Sequence, residues 1–367
     1  MNSKIKNKEA LIKIAEKLSV KYQGVAKDED GNISETYLKY LSLMYGPEEA
    51  EIVQYFEIFP NGVRISKIAK KLGREKDELK NLMAPLVKRG FIQKIGSHYS
   101  IPSPLLIYDA PFILKINYED NKEDTLEMAR LSKEFFEEED YYKQWETSIH
   151  GRPRSRVLTV SEKIDPADFR DIVPVEEIYQ VIEKNESFAI QPCPCRLRTE
   201  LMDIRKCKDK YPIENCIALG PMAEGLLELG DPNIHRGTKE EVKSIIEEAS
   251  ELGLVHTTDN YAGQANILCS CCECCCGLLA GLTRSGLDNP RAIAKANFIA
   301  TIDEDECVAC GTCLERCKFG AITINEFAEI NEKRCVGCGL CAVKCPNDAI
   351  TMKRLEREPI PGLKKQN

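Results

Sequence analysis

Apolar positions recur at helical spacing from Glu48 to Phe59, where Pro60-Asn61-Gly62 breaks the pattern. Ile65 to Leu72 predicts a short second helix ending at Gly73, and Glu75 to Arg89 a third that Gly90 stops. Phe91 to Ile95 and His98 to Ile101 flank Gly96-Ser97 and read as two strands of a hairpin. Further along, residues 175 to 185 predict a helix leading into a strand, Phe188-Ala189-Ile190, that delivers Cys193 and Cys195. Thr238 with Glu241 three residues on marks a helix start, Gly253 its stop, and Leu254-Val255-His256 a following strand on which the lone His256 reads as structural. The run Cys269 to Cys276 predicts a helix with Cys269, Cys272 and Cys276 on one face and Cys271, Cys274 and Cys275 on another.

The helices and hairpin between Pro47 and Pro102 resemble a winged-helix domain. That resemblance implies a recognition helix at 75 to 89 and a wing at 91 to 101, although Pro85 would bend the helix. The same order of elements serves elsewhere as a docking or dimerisation module.

Composition narrows the picture. With 43% hydrophobic and 30% charged residues over 367 positions, the chain can bury two or three cores and is not a disordered polymer. No apolar run is long enough to span a bilayer, and the lysine-rich amphipathic stretch from Met1 to Val20 lacks the apolar core of a secretion signal, so the expectation is a soluble, cytoplasmic protein without membrane insertion. A net charge of -8 argues against general nucleic-acid binding, yet residues 61 to 100 carry ten Lys/Arg against three Asp/Glu. Residues 117 to 146 are acidic, and Glu137, Glu138, Glu139 and Asp140 read as a solvated helix face.

All eighteen cysteines fall between Cys193 and Cys345 in metal-ligand spacings, which points to thiolates holding metal in a reducing compartment rather than to disulfides. Eight of them form a repeat. Cys307, Cys310, Cys313 and Cys317 recur 28 positions later as Cys335, Cys338, Cys341 and Cys345, and the flanking Ile302 and Ala321-Ile322-Thr323 recur as Ile330 and Ala349-Ile350-Thr351. Three thiols two residues apart wrap one cubane and the fourth reaches across to the other. One cluster therefore takes Cys307, Cys310, Cys313 and Cys345, and the other Cys335, Cys338, Cys341 and Cys317. Zinc sites close with four ligands and give no reason for eight in this arrangement. Residues 300 to 353 resemble the bacterial dicluster ferredoxins, which implies two 4Fe-4S clusters of low potential. Lys318 departs from that pattern, in which proline follows the fourth cysteine, as Pro346 does in the second copy.

Ten cysteines remain: Cys193, Cys195, Cys207, Cys216, Cys269, Cys271, Cys272, Cys274, Cys275 and Cys276. So many neighbouring thiols invite oxidation unless metal holds them, and the expectation is that the run and the group Cys193, Cys195, Cys207 and Cys216 close on each other to form one or two additional iron-sulfur clusters. Four-cysteine zinc and reactive-thiol or persulfide chemistry are the alternatives. Arg196 and Arg198 could offset cluster charge, contact an anionic substrate, or pair at the surface. The whole arrangement is similar to anaerobic iron-sulfur proteins that join a C-x-C-R segment and a cysteine-rich run to a dicluster ferredoxin, a resemblance that implies architecture only.

The fold class is thus α+β multidomain: residues 1–110 helical and winged-helix-like, 111–299 a mixed α/β cysteine-rich domain, 300–353 a ferredoxin-like domain and 354–367 a tail. The function expected is electron transfer, or an oxidoreductase subunit, passing electrons between ferredoxin-type clusters and the upstream centre and on to a redox partner protein. The alternative is a redox-responsive DNA-binding regulator using Arg64, Lys67, Lys70, Lys71, Arg74, Lys76 and Lys80. No phosphate-binding glycine loop is present, catalytic residues are not indicated, and none of His98, His150, His235 and His256 has metal-ligand spacing with another.

Overall fold

The structure, a computed structural model, describes residues 5–21, 25–139, 141–142, 152–160, 163–165, 176–263, 265–284, 286–357 and 360–362. His150, Asp140 and the start of the helix expected at 175 lie outside the described residues. The chain forms two compact units: residues up to 151 with 193–205 and 231–233, and residues 152–192, 206–230 and 234 onward.

In the first unit, helices Lys8–Lys21, Glu35–Met44, Pro47–Val53, Ile65–Leu72 and Lys76–Lys88 accompany strands β1 (Glu57–Ile58), β2 (Val63–Arg64), β3 (Gln93–Ile95) and β4 (His98–Ile101). The helix expected from Glu48 to Phe59 is shorter. It ends at Val53 because Glu57 and Ile58 pair in parallel with Ser100 and Ile101, and sheet pairing outweighs the local helical period. Gly73 closes the next helix at φ 65°, as its left-handed position requires. Tyr37, Tyr40, Tyr108 and Phe135 meet edge-on or stacked in the buried interior. Arg74 is paired with Glu48 and Glu78, and Lys80 with Asp77, so two of the basic side chains considered for DNA already hold carboxylates.

The second unit is built on an antiparallel six-stranded sheet of β5 (Ser155–Val157), β6 (Phe188–Gln191), β7 (Cys216–Leu219), β8 (His235–Arg236), β9 (Val255–Asp259) and β10 (Ile267–Cys271), in the order β5-β9-β10-β7-β6-β8. Its two faces differ. Phe188, Ile190, Ile217, Leu219 and Leu268 pack against helices Ile178–Glu183 and Lys239–Leu252 in one apolar core. Thr238 caps the second of these helices by accepting from the Glu241 amide at 3.2 Å, and Gly253 ends it at φ 85°. His256, buried on the same face, lies 2.8 Å from the Ser250 hydroxyl and 3.2 Å from that of Ser270. Burial lowers its pKa to about 3, so it sits neutral between two hydroxyls, a structural role.

The helix expected for the cysteine run is not formed. Residues 267 to 271 extend as β10 between β9 and β7, and the chain then turns, with the Cys276 amide donating to the Cys272 carbonyl at 3.3 Å. Period-two geometry therefore replaces the helical grouping: Cys269 and Cys271 face one way, Leu268 and Ser270 the other.

Residues 298 to 354 repeat one strand, loop, helix and strand unit. β11 (Phe298–Ile302) pairs with β14 (Ile350–Arg354), and β12 (Ile322–Ile324) with β13 (Ala328–Ile330). Each pair joins a first strand of one copy to a last strand of the other, and Ile302 opposite Ile350 is the equivalent of Ile330 opposite Ile322. Backbone conformation repeats as well: Ala309 and Gly337, Gly311 and Gly339, and Gly320 and Asp348 all take positive φ. At Gly337 a Cβ would lie 2.2 Å from the Phe298 carbonyl oxygen, so only glycine fits.

Candidate metal centres

Helices Thr312–Arg316 and Leu340–Val343 each start at a left-handed glycine, Gly311 or Gly339, and swing the preceding loop round a cavity. The first cavity is lined by Cys307, Cys310, Cys313 and Cys345 and the second by Cys335, Cys338, Cys341 and Cys317. Each thus receives three thiols from one copy and one from the other, as the pseudo-symmetry requires. The Ala328 amide donates to Cys307 Sγ at 3.4 Å and the Ala321 amide to Cys317 Sγ at 3.3 Å, contacts that stabilise negative charge on sulfur.

The two cavities differ in degree, since burial also raises Cys313 in the first. Burial pushes Cys338 up to about 12 and Cys341 well above its ordinary value, whereas exposed Cys310, beside the Thr312 hydroxyl at 3.5 Å, is lowered by that hydrogen bond. As thiolates, the buried pair calls for a cationic partner inside the cavity. Eight sulfurs in two sets of four, with amides aimed at two of them, suit iron-sulfur cubanes in number and in softness.

Upstream, the second unit gathers its thiols in two groups. Cys207, Cys272, Cys274 and Cys275 have sulfurs that all lie within 4.8 Å of one another. Cys216 and Cys269 oppose each other across β7 and β10 with sulfurs 4.0 Å apart, and Cys271 follows Cys269 on the same face. Gln191 Nε2 donates to Cys216 Sγ at 3.6 Å and the Thr257 hydroxyl lies 3.5 Å from Cys271 Sγ. The Cys216 thiol, followed by that of Cys271, raises the pKa of Cys269, since neighbouring sulfurs cannot all ionise unaided. Cys276 is buried in the same apolar cluster as Cys271.

Cys193 and Cys195 belong to the first unit, at the start of helix Pro194–Leu201. The two arginines beside them are not at the surface. Arg196 is fully buried, and buried Arg198 lies 3.2 Å from Asp109, donates to the Tyr108 carbonyl at 3.0 Å and stacks 3.7 Å above the Tyr108 ring. Burial raises Asp109 to about 7 against the pull of Arg198.

The contacts of two side chains were not read from the sequence. Lys318 reaches back to Glu273, inside the cysteine run, with Nζ 3.2 Å from the carboxylate. Arg316 donates to the Ser250 and Glu251 carbonyls at 2.6 and 2.7 Å, capping the end of helix Lys239–Leu252. The replacement of proline by Lys318, and a single acid set among thiols, were the available signals.

Among the described residues no helix is long and apolar enough to cross a membrane. The searches of curated proteins and of solved structures returned no match. Residues 300–352 match the family model of the 4Fe-4S dicluster domain, and the C-terminal part of the chain is accordingly a ferredoxin-like, iron-sulfur module of the electron-transferring kind.

Proposed function

We propose that this chain is a cytoplasmic iron-sulfur electron-transfer protein, or the electron-transfer subunit of an oxidoreductase, acting on a redox partner protein under anaerobic conditions. The observation that carries the reading is the pair of cavities, each lined by three thiols of one repeat and one of the other. Cys307, Cys310, Cys313 and Cys345 hold one 4Fe-4S cluster, and Cys335, Cys338, Cys341 and Cys317 the second. Clusters bound there supply one-electron chemistry at low potential.

The protein's own residues give the transfer a direction. Cys310 is exposed and flanked by Val308 and Leu314, 62% and 45% exposed, so the first loop meets the partner. Around the second cavity the thiols are more buried, and Lys318, next to Cys317, reaches the cysteine run through Glu273. Cys216, Cys269, Cys271 and Cys276 extend the same reading to a further iron-sulfur centre, while Cys193 and Cys195, which the sequence expectation placed in the same group, belong to the other unit.

Anaerobic purification with iron and acid-labile sulfide counts tests this. About eight irons matched by sulfide correspond to the two ferredoxin-type clusters, and about twelve or more to an additional one. Colourless, sulfide-free protein would end the electron-transfer reading.

A further inference from the structure

Sulfur spacing separates the four-thiol group upstream from the ferredoxin loops. Cys274 Sγ lies 3.5 Å from Cys275 Sγ and 3.9 Å from Cys272 Sγ, and Cys207 Sγ lies 3.7 Å from Cys275 Sγ. Four sulfurs on one tetrahedral ion with metal–sulfur bonds of about 2.3 Å stand about 3.8 Å apart along each edge. In a cubane each thiolate ends on a different iron, so the four sulfurs must stand further apart by roughly the spacing of those irons. The molecule supplies its own control: among the described residues the ferredoxin thiols surround cavities and are not gathered within 4.8 Å, while these four are.

The scaffold fits a closed site. Cys207 is held by its carbonyl, which accepts from the Lys210 and Tyr211 amides at 3.1 Å, and Cys272, Cys274 and Cys275 come from the turn after β10. Cys207, Cys272 and Cys275 are buried, and Cys274 is half-buried. Two segments far apart in sequence meet at four sulfurs, which is how structural zinc joins distant loops.

We propose that Cys207, Cys272, Cys274 and Cys275 bind one metal ion in a closed tetrahedral tetrathiolate site, with zinc the fitting ion, redox-inert beside the electron-carrying loops. Full-length protein, purified anaerobically from medium replete in zinc and iron, tests it by metal and sulfide analysis with X-ray absorption at both metal edges. The expected result is about one zinc per chain surrounded by sulfur at about 2.3 Å, with no metal neighbour. Cys274→Ser should lower that zinc at least tenfold and leave sulfide-matched iron unchanged. One sulfide-free iron in the same sulfur shell would support the single-ion site and reassign its occupant. Loss of several irons with equal sulfide in Cys274→Ser, or wild-type protein without sulfide-free metal, would overturn it. If Cys274→Ser does not fold, the wild-type absorption spectra decide. Sulfide-matched iron reports on the ferredoxin loops and sulfide-free metal on this site, so the two readings fail separately.

Discussion

The ferredoxin loops and the upstream thiols use one ligand type on opposite scaffolds. In the former, left-handed turns repeated at 309/337, 311/339 and 320/348 hold sulfurs apart round a cavity. In the latter, the tight turn after β10 gathers three sulfurs and the distant Cys207 brings the fourth. On the proposed loadings, backbone conformation around the cysteines, more than their number, sets how many metal atoms a group holds.

The largest effect expected is on ligand exchange. Cys317→Ser should abolish the same paramagnetic signal as Cys335→Ser, with about four irons lost in each. If Cys317→Ser instead removed the signal lost in Cys307→Ser, the copies would not trade their last thiol.

A second test concerns the face of β10 that carries no cysteine. Burial holds His256 at about 3, below its ordinary 6.5, so the unfolded chain binds the extra proton first. Stability should fall as pH drops from 6.5 toward 3, by roughly a few kcal/mol across that window. A His256→Gln variant should lose this part of the slope, measured by denaturant unfolding on protein of equal metal content. Equal slopes in both proteins would place the protonation elsewhere.

Gly337→Ala should cost about 1–3 kcal/mol, because its Cβ would strike the Phe298 carbonyl oxygen at a left-handed position. Its counterpart Ala309 already holds φ 51°, so Ala309→Gly should be neutral or stabilising by up to about 1 kcal/mol. Thermal unfolding of the two variants checks whether the copies share conformation while differing in space.

The smallest effect belongs to Lys318. Its pair with Glu273 is partly exposed, and Lys318→Met should change stability by less than about 1 kcal/mol. Removing positive charge beside Cys317 should lower the reduction potential of the cluster it ligates, and Glu273→Gln should raise it. Redox titration followed by paramagnetic resonance reads both directions.

Much of this was legible in the chain. The ferredoxin repeat was, because each ligand sits at a fixed short offset and both copies say the same thing. The Ile65–Leu72 helix and the capped Lys239–Leu252 helix were also legible, since glycine and threonine mark their ends locally. Two expectations failed where distant pairing decides: Glu57 and Ile58 left a helical pattern to join Ser100 and Ile101, and Cys269 to Cys271 became strand between β9 and β7. No window around the cysteine run contains β7, so its extended form could not be read there, whereas the approach of Cys207 and Cys216 to the run was expected from the number of thiols that needed partners. The surface-pairing alternative for buried Arg198 failed for the same reason, as its partner Asp109 lies far upstream.

The alternation along β10 couples assembly to loading. Were that strand to slip by one residue, Leu268 and Ser270 would exchange places with Cys269 and Cys271, turning two sulfurs into the aliphatic layer and leaving a hydrocarbon where a ligand belongs. On the proposed reading of Cys269 and Cys271 as ligands, correct pairing of this hairpin is a precondition for metal capture, and captured metal would in turn act as a lock on the strand's alignment.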